Sequence, residues 1–290
     1  MDHGNQHWVP SSYLEAWCDP DLPPRYEPYV WRFPKDGGEG RRKAPANIFA
    51  EADFYTIHLA DGGRDLSLEH GLGTLEQEFA RIREKRIAKR EPLNREEKGW
   101  FCAFVAAMHA RTRGQRDALR QQWGHGLKIA EDLQAALVRM TPEQRREPRP
   151  HTRLHETSGP ALSIDDVRKL ADQPLPQMLP TIIAEDLPLL MRMNLSIFTT
   201  GDDVGFVTSD SPCRWFDPGT DRIPFMLRSP TIEVTMPVSP NSFAVISWED
   251  LPHYRDASLS EVHAANRNQQ IACDEYLIVR RNVLSPVWFS

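Results

Sequence analysis

Three side chains with the chemistry of a hydrolytic site lie in widely separated parts of this 290-residue chain. His7 stands in the opening stretch NQHWVPSSYLEAWC, residues 5–18, and an imidazole can move protons near neutral pH. Arg111 carries a planar guanidinium whose fork grips phosphate or carboxylate. Asp210 ends the apolar segment GFVTSD, and there it can act as a base, bind a metal or orient a His or Arg.

Each of these residues also has a purely structural interpretation. His7 can bond a backbone carbonyl while Trp8 and Tyr13 fill the core. Asp210, placed before a proline turn, can cap that turn by accepting backbone amide hydrogens. A buried Arg111 paired with a carboxylate would be structural in most proteins. The residue types alone leave both interpretations open.

Helical periodicity places Arg111 on or near the buried side of a helix. It follows Phe104 and Met108 by seven and three positions, which puts the three residues on one side. A cation there needs a partner, because an unpaired buried charge is very costly. The candidate partners are Glu76, on the preceding predicted helix, and Asp210.

The order of the predicted elements indicates an α+β fold. Short strands and a lead-in helix occupy residues 1–65, amphipathic helices fill residues 66–195, and strands with one last helix follow in residues 196–290. One of the helices is predicted to be capped by Asn94 and to reach Arg113, and another to span about residues 178–193. GFVTSD, residues 205–210, is one of the predicted strands. We expect a helical body packed on a mostly antiparallel sheet formed largely by the C-terminal third. The N-terminal segment should return against the C-terminal strands. We predict one two-lobed domain over residues 1–290.

Basic residues concentrate in the middle third of the chain. Residues 79–153 contain 18 Lys and Arg against 9 Asp and Glu, whereas the whole chain has a net charge of -6. This stretch is the only plausible landing surface for a polyanion, so a nucleotide or nucleic acid is the predicted partner. The same charges can equally coat the solvent-facing sides of helices.

Composition favours a soluble, cytoplasmic protein that has no membrane partner. No apolar run approaches the ~20 residues that cross a bilayer, and the first residues lack the basic and apolar regions of a secretory signal. The scattered cysteines are predicted to be buried thiols and neither disulfides nor zinc ligands: Cys18, Cys102, Cys213 and Cys273.

Two motifs resemble those of a largely bacterial family. Residues 6–17, QHWVPSSYLEAW, resemble the N-terminal H-x-V-P-x-x-Y-L-x-x-F signature of the domain-of-unknown-function family DUF4238, with Trp8 and Trp17 where Tyr and Phe are more usual. Residues 206–212, FVTSDSP, resemble its downstream T-S-D-x-P element. The resemblance spans nearly the whole chain and implies no particular activity or cofactor. It places His7 and Asp210 in the two motifs that define the family.

In a first functional hypothesis the protein hydrolyses a phosphoester in a nucleotide or nucleic acid. The predicted catalytic side chains, which would line one pocket, are His7, Glu76, Arg111, Ser209 and Asp210. His7 would be the general acid or base, Asp210 would orient it or hold a divalent cation, and Arg111 would stabilise negative charge in the transition state. The candidate substrate-binding residues, from the opening stretch, are Asn5, Gln6 and Tyr13.

In a second hypothesis the same residues form an internal polar network. A fully satisfied network of this kind specifies a fold without chemistry. The protein would then be a non-catalytic binding or sensing module in a bacterial stress or phage-defence context.

Overall fold

A computed structural model describes residues 4–19, 21–23, 25–59, 61–141, 162–217 and 227–289. In these residues seven α-helices and thirteen strands form, and the fold is α+β as the sequence predicts. The end of the basic stretch, residues 142–153, lies outside the described residues.

The helices, in chain order, are α1 (Ser11–Leu14), α2 (Ser67–Lys85), α3 (Arg95–Ala110), α4 (Arg113–Arg139), α5 (Ile164–Asp172), α6 (Pro174–Arg192) and α7 (Leu259–Ala272). The strands are β1 (Asn5–His7), β2 (Val30–Pro34), β3 (Arg41–Lys43), β4 (Ala50–Ala52), β5 (Ile57–His58), β6 (Arg64–Asp65), β7 (Asn194–Thr199), β8 (Thr208–Ser209), β9 (Arg214–Phe216), β10 (Glu233–Ser239), β11 (Ser242–Ser247), β12 (Tyr254–Asp256) and β13 (Tyr276–Val279).

The strands pair mostly antiparallel, as expected. The largest sheet has the order β12-β7-β11-β10-β9, and only its β12–β7 pair is parallel. A second sheet has the order β3-β2-β13-β8, so that N-terminal β2 lies beside C-terminal β13. The small pairs β1–β4 and β5–β6 complete the N-terminal part. The first and last thirds of the chain therefore share a sheet.

Local capping chemistry sets the boundary between α3 and α4, and the boundary differs from the prediction. The Asn94 side chain accepts a hydrogen bond from the Glu97 amide and so starts α3, as predicted. The prediction continued this helix to Arg113, whereas α3 ends at Ala110. The reason is Thr112, which begins α4. Its backbone is extended, and its hydroxyl oxygen accepts a hydrogen bond from the Gln115 amide. Arg111 thus occupies the corner between two helices.

Two further boundaries differ from the sequence prediction. Helix α6 was expected to start near Met178, but it starts at Pro174, since a proline suits a first helical turn. In the predicted strand GFVTSD only Thr208 and Ser209 pair as a strand, because the backbone amides of Phe206 and Val207 bond outside the sheet.

The aromatic residues of the opening stretch pack against the C-terminal strands. The Tyr13 hydroxyl donates to the Pro237 carbonyl at 2.7 Å and bonds the Thr208 hydroxyl at 2.8 Å. The Trp17 indole donates to the Phe206 carbonyl at 2.8 Å. The largest apolar cluster takes residues from all three predicted segments of the chain. The predicted return of the N-terminal segment against the C-terminal strands is confirmed.

The Tyr13 hydroxyl yields a stability prediction. Tyr13→Phe leaves a buried carbonyl and a buried hydroxyl without their partner, so we expect the free energy of unfolding to fall by about 1–3 kcal/mol. Urea denaturation monitored by circular dichroism measures the change. Tyr26→Phe is the matched control, because Tyr26 is 67% exposed and its substitution should change little. Equal unfolding midpoints for the two variants would contradict the assigned role.

Candidate functional site

Strand β1 and a backbone carbonyl fix the imidazole of His7. The strand turns the Gln6 side chain inward and leaves His7 half-buried. The Nε2 atom lies 3.2 Å from the carbonyl oxygen of Ala46. A carbonyl can only accept, so Nε2 carries the proton and Nδ1 keeps its lone pair. Burial lowers the pKa of His7, an effect opposed by the bond to Ala46 and by the charge of Glu76.

Arg111 is buried completely and makes an ion pair with one of its two predicted partners. Its Nη1 donates to Glu76 Oε1 at 2.7 Å, and its Nη2 lies 3.0 Å from the sulfur of Met108. The guanidinium carbon lies 5.7 Å from the ring centroid of Phe104. The buried Nε has no hydrogen-bond partner among the described residues. Glu76 is 23% exposed, so the pair reaches the surface on the carboxylate side.

Two residues that the sequence analysis missed join this group. Tyr55 is fully buried, and its hydroxyl donates to the His7 carbonyl at 3.3 Å. Burial raises the pKa of Glu69, and the charge of Glu76 raises it further, whereas Arg111 lowers it. Glu69 precedes Glu76 by seven residues on the same helix, and this spacing was the signal that could have revealed it. No pattern marked Tyr55. We call the five residues, His7, Tyr55, Glu69, Glu76 and Arg111, the His7 cluster.

The surface of α2 is open at Gly73, between the positions of the two carboxylates of the His7 cluster. With about 3.6 residues per helical turn, Glu69, Gly73 and Glu76 lie on one side of α2. A Cβ atom built on Gly73 would meet no other atom within 4 Å. A ligand can therefore approach both carboxylates across the glycine.

Asp210 lies outside the His7 cluster. Its Oδ1 accepts the amide of Asp274 at 2.9 Å, and its Oδ2 accepts the amides of Glu275 and Tyr276 at 2.7 and 3.0 Å. Burial raises the pKa of Asp210 to about 6, although the three amides act to lower it. No described hydrogen bond or ion pair joins Asp210 to Arg111, its second predicted partner. Asp210 thus accepts backbone amides, as in the structural alternative, but they belong to the distant segment 274–276 and not to its own proline turn.

Ser209 belongs to the same buried network as Asp210. Its hydroxyl accepts from the Gln269 side chain at 2.5 Å and from the Ser211 amide at 3.0 Å. Asn266, also on α7, bonds two backbone groups of the segment that leads into β8. The downstream motif is therefore held in place by one helix.

The three predicted substrate-binding residues have different environments. Gln6 is buried. Its Oε1 accepts a hydrogen bond from the Tyr55 amide at 2.5 Å, and its Nε2 donates one to the Thr56 hydroxyl at 3.0 Å. Tyr13 lies in the core, where its hydroxyl is fully used. Asn5 is exposed on β1, and its role in binding stays a prediction.

An open cleft of about 350 Å³ brings the two motif segments together. Trp8 of the first motif and Asp210 of the second both line it, but neither His7 nor Arg111 is among its lining residues. The predicted catalytic residues are thus distributed between the His7 cluster and the network beneath this cleft.

Within the described ranges, no three His, Cys, Asp or Glu side chains are arranged to hold a metal ion. All four cysteines are free thiols, and three of them are buried as predicted, but Cys18 is only half-buried because its short segment follows the end of the opening helix near the surface. No helix in the described part of the chain is both long and apolar enough to cross a membrane.

These features define an α+β protein whose two characteristic motifs meet at one cleft. The model of a family described as a protein of unknown function, DUF4238, matches residues 5–282. The chain belongs to this family. No curated protein and no solved structure matches it.

Substituting Glu76 should change both the stability of the protein and the titration of His7. Glu76→Gln removes a negative charge, so we expect the pKa of His7 to fall further below 6.5. The buried Arg111 loses its ionic partner, which should cost about 1–3 kcal/mol of unfolding free energy. NMR titration of the imidazole and urea denaturation measure the two effects. Glu78→Gln is the control, since Glu78 pairs with Arg81 at the surface, and an equal shift of the His7 pKa there would contradict the geometry.

Removing the Asp210 carboxylate should destabilise the fold. Asp210→Ala leaves three backbone amides without their acceptor, and we expect a loss of about 2–4 kcal/mol in unfolding free energy. Asp36→Ala is the control, because this exposed residue accepts a single amide at 3.2 Å. A stable Asp210→Ala protein would show that the three bonds contribute little.

Proposed function

We propose that this protein is a hydrolase that uses the His7 cluster for general acid–base catalysis, with phosphoesters as the substrate class. The observation that carries the proposal is the imidazole of His7. The Ala46 carbonyl holds its proton at Nε2, and burial keeps the ring neutral. Glu76 and Arg111 act on the pKa of both His7 and Glu69, so the two groups share one electrostatic environment. A neutral imidazole and a carboxyl with a raised pKa are the two groups that general acid–base catalysis needs.

The proposed reaction is the attack of water on phosphorus. Nδ1 of His7 accepts a proton from the attacking water, Glu69 gives its proton to the leaving oxygen, and the phosphorus–oxygen ester bond breaks. The two residues then exchange the proton through solvent. Arg111 has no exposed surface, so it is a positioning residue that acts through its ion pair with Glu76.

The charge of the stretch that contains Arg111 supports the substrate class. Arg111 lies in the stretch 79–153, which has 18 Lys and Arg against 9 Asp and Glu. Arg113 and Arg120, in the same stretch, are exposed and can attract a nucleotide or nucleic acid. The proposal includes the bacterial and cytoplasmic setting predicted from the sequence.

A non-catalytic binding module is the second candidate function. The observation that favours it is the buried network of Asp210 and Ser209, whose hydrogen bonds are all made inside the protein. His7→Ala separates the two functions. A folded variant that has lost hydrolysis supports the enzyme, whereas equal phosphoester turnover by the variant and the unsubstituted protein, at the rate without protein, supports the binding module.

The most selective test fills the open space between the carboxylates. Gly73→Leu puts a side chain where a Cβ meets nothing within 4 Å, so it should block access to His7 and Glu69. Leucine also favours helix over glycine by about 0.8–1.0 kcal/mol, so Tm should not fall. We expect hydrolysis of bis-p-nitrophenyl phosphate to be lost in a protein that is at least as stable as the original.

Gly71→Leu is the matched control for this experiment. A Cβ at Gly71 is equally unobstructed, but the residue lies about 200° further around α2, away from the carboxylates. Its hydrolysis rate should equal that of the unsubstituted protein. Equal rates for Gly73→Leu and Gly71→Leu would place the reaction elsewhere.

The pH dependence of hydrolysis is a separate prediction. The base form of His7 appears as pH rises through a pKa below 6.5, and the acid form of Glu69 is lost as pH rises through a pKa above 4.5. Activity should therefore peak in the acidic range. Glu69→Gln should lower kcat about 10²–10⁴-fold and remove the falling limb of the profile. A falling limb that survives in Glu69→Gln would exclude Glu69 as the acid.

A further inference from the structure

The cleft of about 350 Å³ lies where six segments of the chain meet, one of which contributes Asp210. Trp8 follows β1, residues 47–49 precede β4, the first turn of α4 supplies Arg113, and residues 274–276 lead into β13. Strand β2 adds Arg32. The volume falls within the range of small-molecule sites. None of the five residues of the His7 cluster lines this cleft.

Aromatic rings hold the two guanidiniums of the cleft. The guanidinium carbon of Arg32 lies 4.1 Å from the ring centroid of Tyr276, and that of Arg113 lies 5.3 Å from the ring of Trp8. Arg32 makes no ion pair within the described part of the chain, and Arg113 approaches Glu51 only at 3.7 Å. A ring contact uses the face of a guanidinium and leaves its in-plane N–H donors free for oxygen atoms.

The carboxylates of the cleft are mostly engaged within the protein. Asp210 accepts three backbone amides, and Asp274 accepts an amide from the first turn of α4. Asp117 pairs with the Nε of Arg116 at 2.9 Å, and Glu275 is exposed. The two guanidiniums therefore supply the N–H donors of the cleft that remain free for a ligand. The negative charge of the carboxylates repels an anion, so we expect that both guanidiniums are needed to bind an anion in this cleft.

The other walls of the cleft suit a ligand that combines an anion with an apolar part. Ile48 and Phe49 contribute apolar side chains beside the ring of Trp8. The field of the α4 N-terminus also favours a negative group at this position. Forked guanidinium donors match the spaced oxygens of a phosphate group.

We propose that this cleft binds the phosphate group of a small molecule, with Arg32 and Arg113 as its ligands. The site is separate from the His7 cluster, and the proposal does not depend on hydrolysis there. A ligand site here would give a functional reason for the meeting of Trp8 and Asp210, which lie far apart in the sequence, in one cleft.

Calorimetric titration with methylenediphosphonate, a non-hydrolysable analogue of pyrophosphate, tests the proposal. The unsubstituted protein should bind the probe, and Arg32→Gln and Arg113→Gln should each weaken binding at least about tenfold, since each removes a charge-assisted bond. Arg42→Gln is the matched control. Arg42 also lies over aromatic rings, at 4.7 Å from Tyr29 and 5.0 Å from Trp31, but it does not line the cleft.

The outcomes of this titration separate the cleft from the His7 cluster. Gly73→Leu should bind the probe as tightly as the unsubstituted protein, because Gly73 lies in the other site. Loss of binding in Gly73→Leu would place the anion at the His7 cluster and overturn the proposal. No binding by the unsubstituted protein at millimolar probe, or an equal loss in Arg42→Gln, would overturn it as well. Circular dichroism spectra of each variant serve as the control for folding.

Discussion

The ion pair between Arg111 and Glu76 is the constraint on which the functional half of the structure depends. A guanidinium with no exposed surface needs a carboxylate, and the 2.7 Å bond to Glu76 fixes α2 against the corner between α3 and α4. That placement brings Glu69 under the influence of the Glu76 and Arg111 charges, which also act on the pKa of His7. The charges of the pair act on the pKa of His7 in opposite directions, so the ring responds mainly to its burial.

Unused hydrogen-bonding capacity distinguishes the two polar regions of the protein. Around Asp210 and Ser209 the acceptors are filled by backbone amides and by Gln269, so these residues stabilise the segment between β8 and β13. Around His7 the arrangement leaves a ring nitrogen with a lone pair and a carboxyl with a raised pKa. Similar residue types therefore serve structure in one place and suit chemistry in the other.

One short segment serves both of the proposed sites. Successive side chains of an extended chain point to opposite sides, so neighbouring His7 and Trp8 reach different environments. His7 joins the acid–base group, and Trp8 lines the cleft with Arg32 and Arg113. The opening stretch is thus an aromatic plug, through Tyr13 and Trp17, and it also carries the imidazole to which we assign the acid–base role.

The sequence by itself determined the element order, the α+β class, the Asn94 cap and the buried position of Arg111, because periodicity and capping act within a few residues along the chain. It also offered two carboxylates for Arg111 and could not choose between them. Only the tertiary structure shows that Glu76 pairs with Arg111 and that Asp210 accepts three backbone amides instead. Glu69 and Tyr55 were also found only in the tertiary structure. The physical reason is distance. Ion pairs and pKa shifts depend on separations of a few ångströms between residues far apart in sequence, and those separations exist only after the helices have packed.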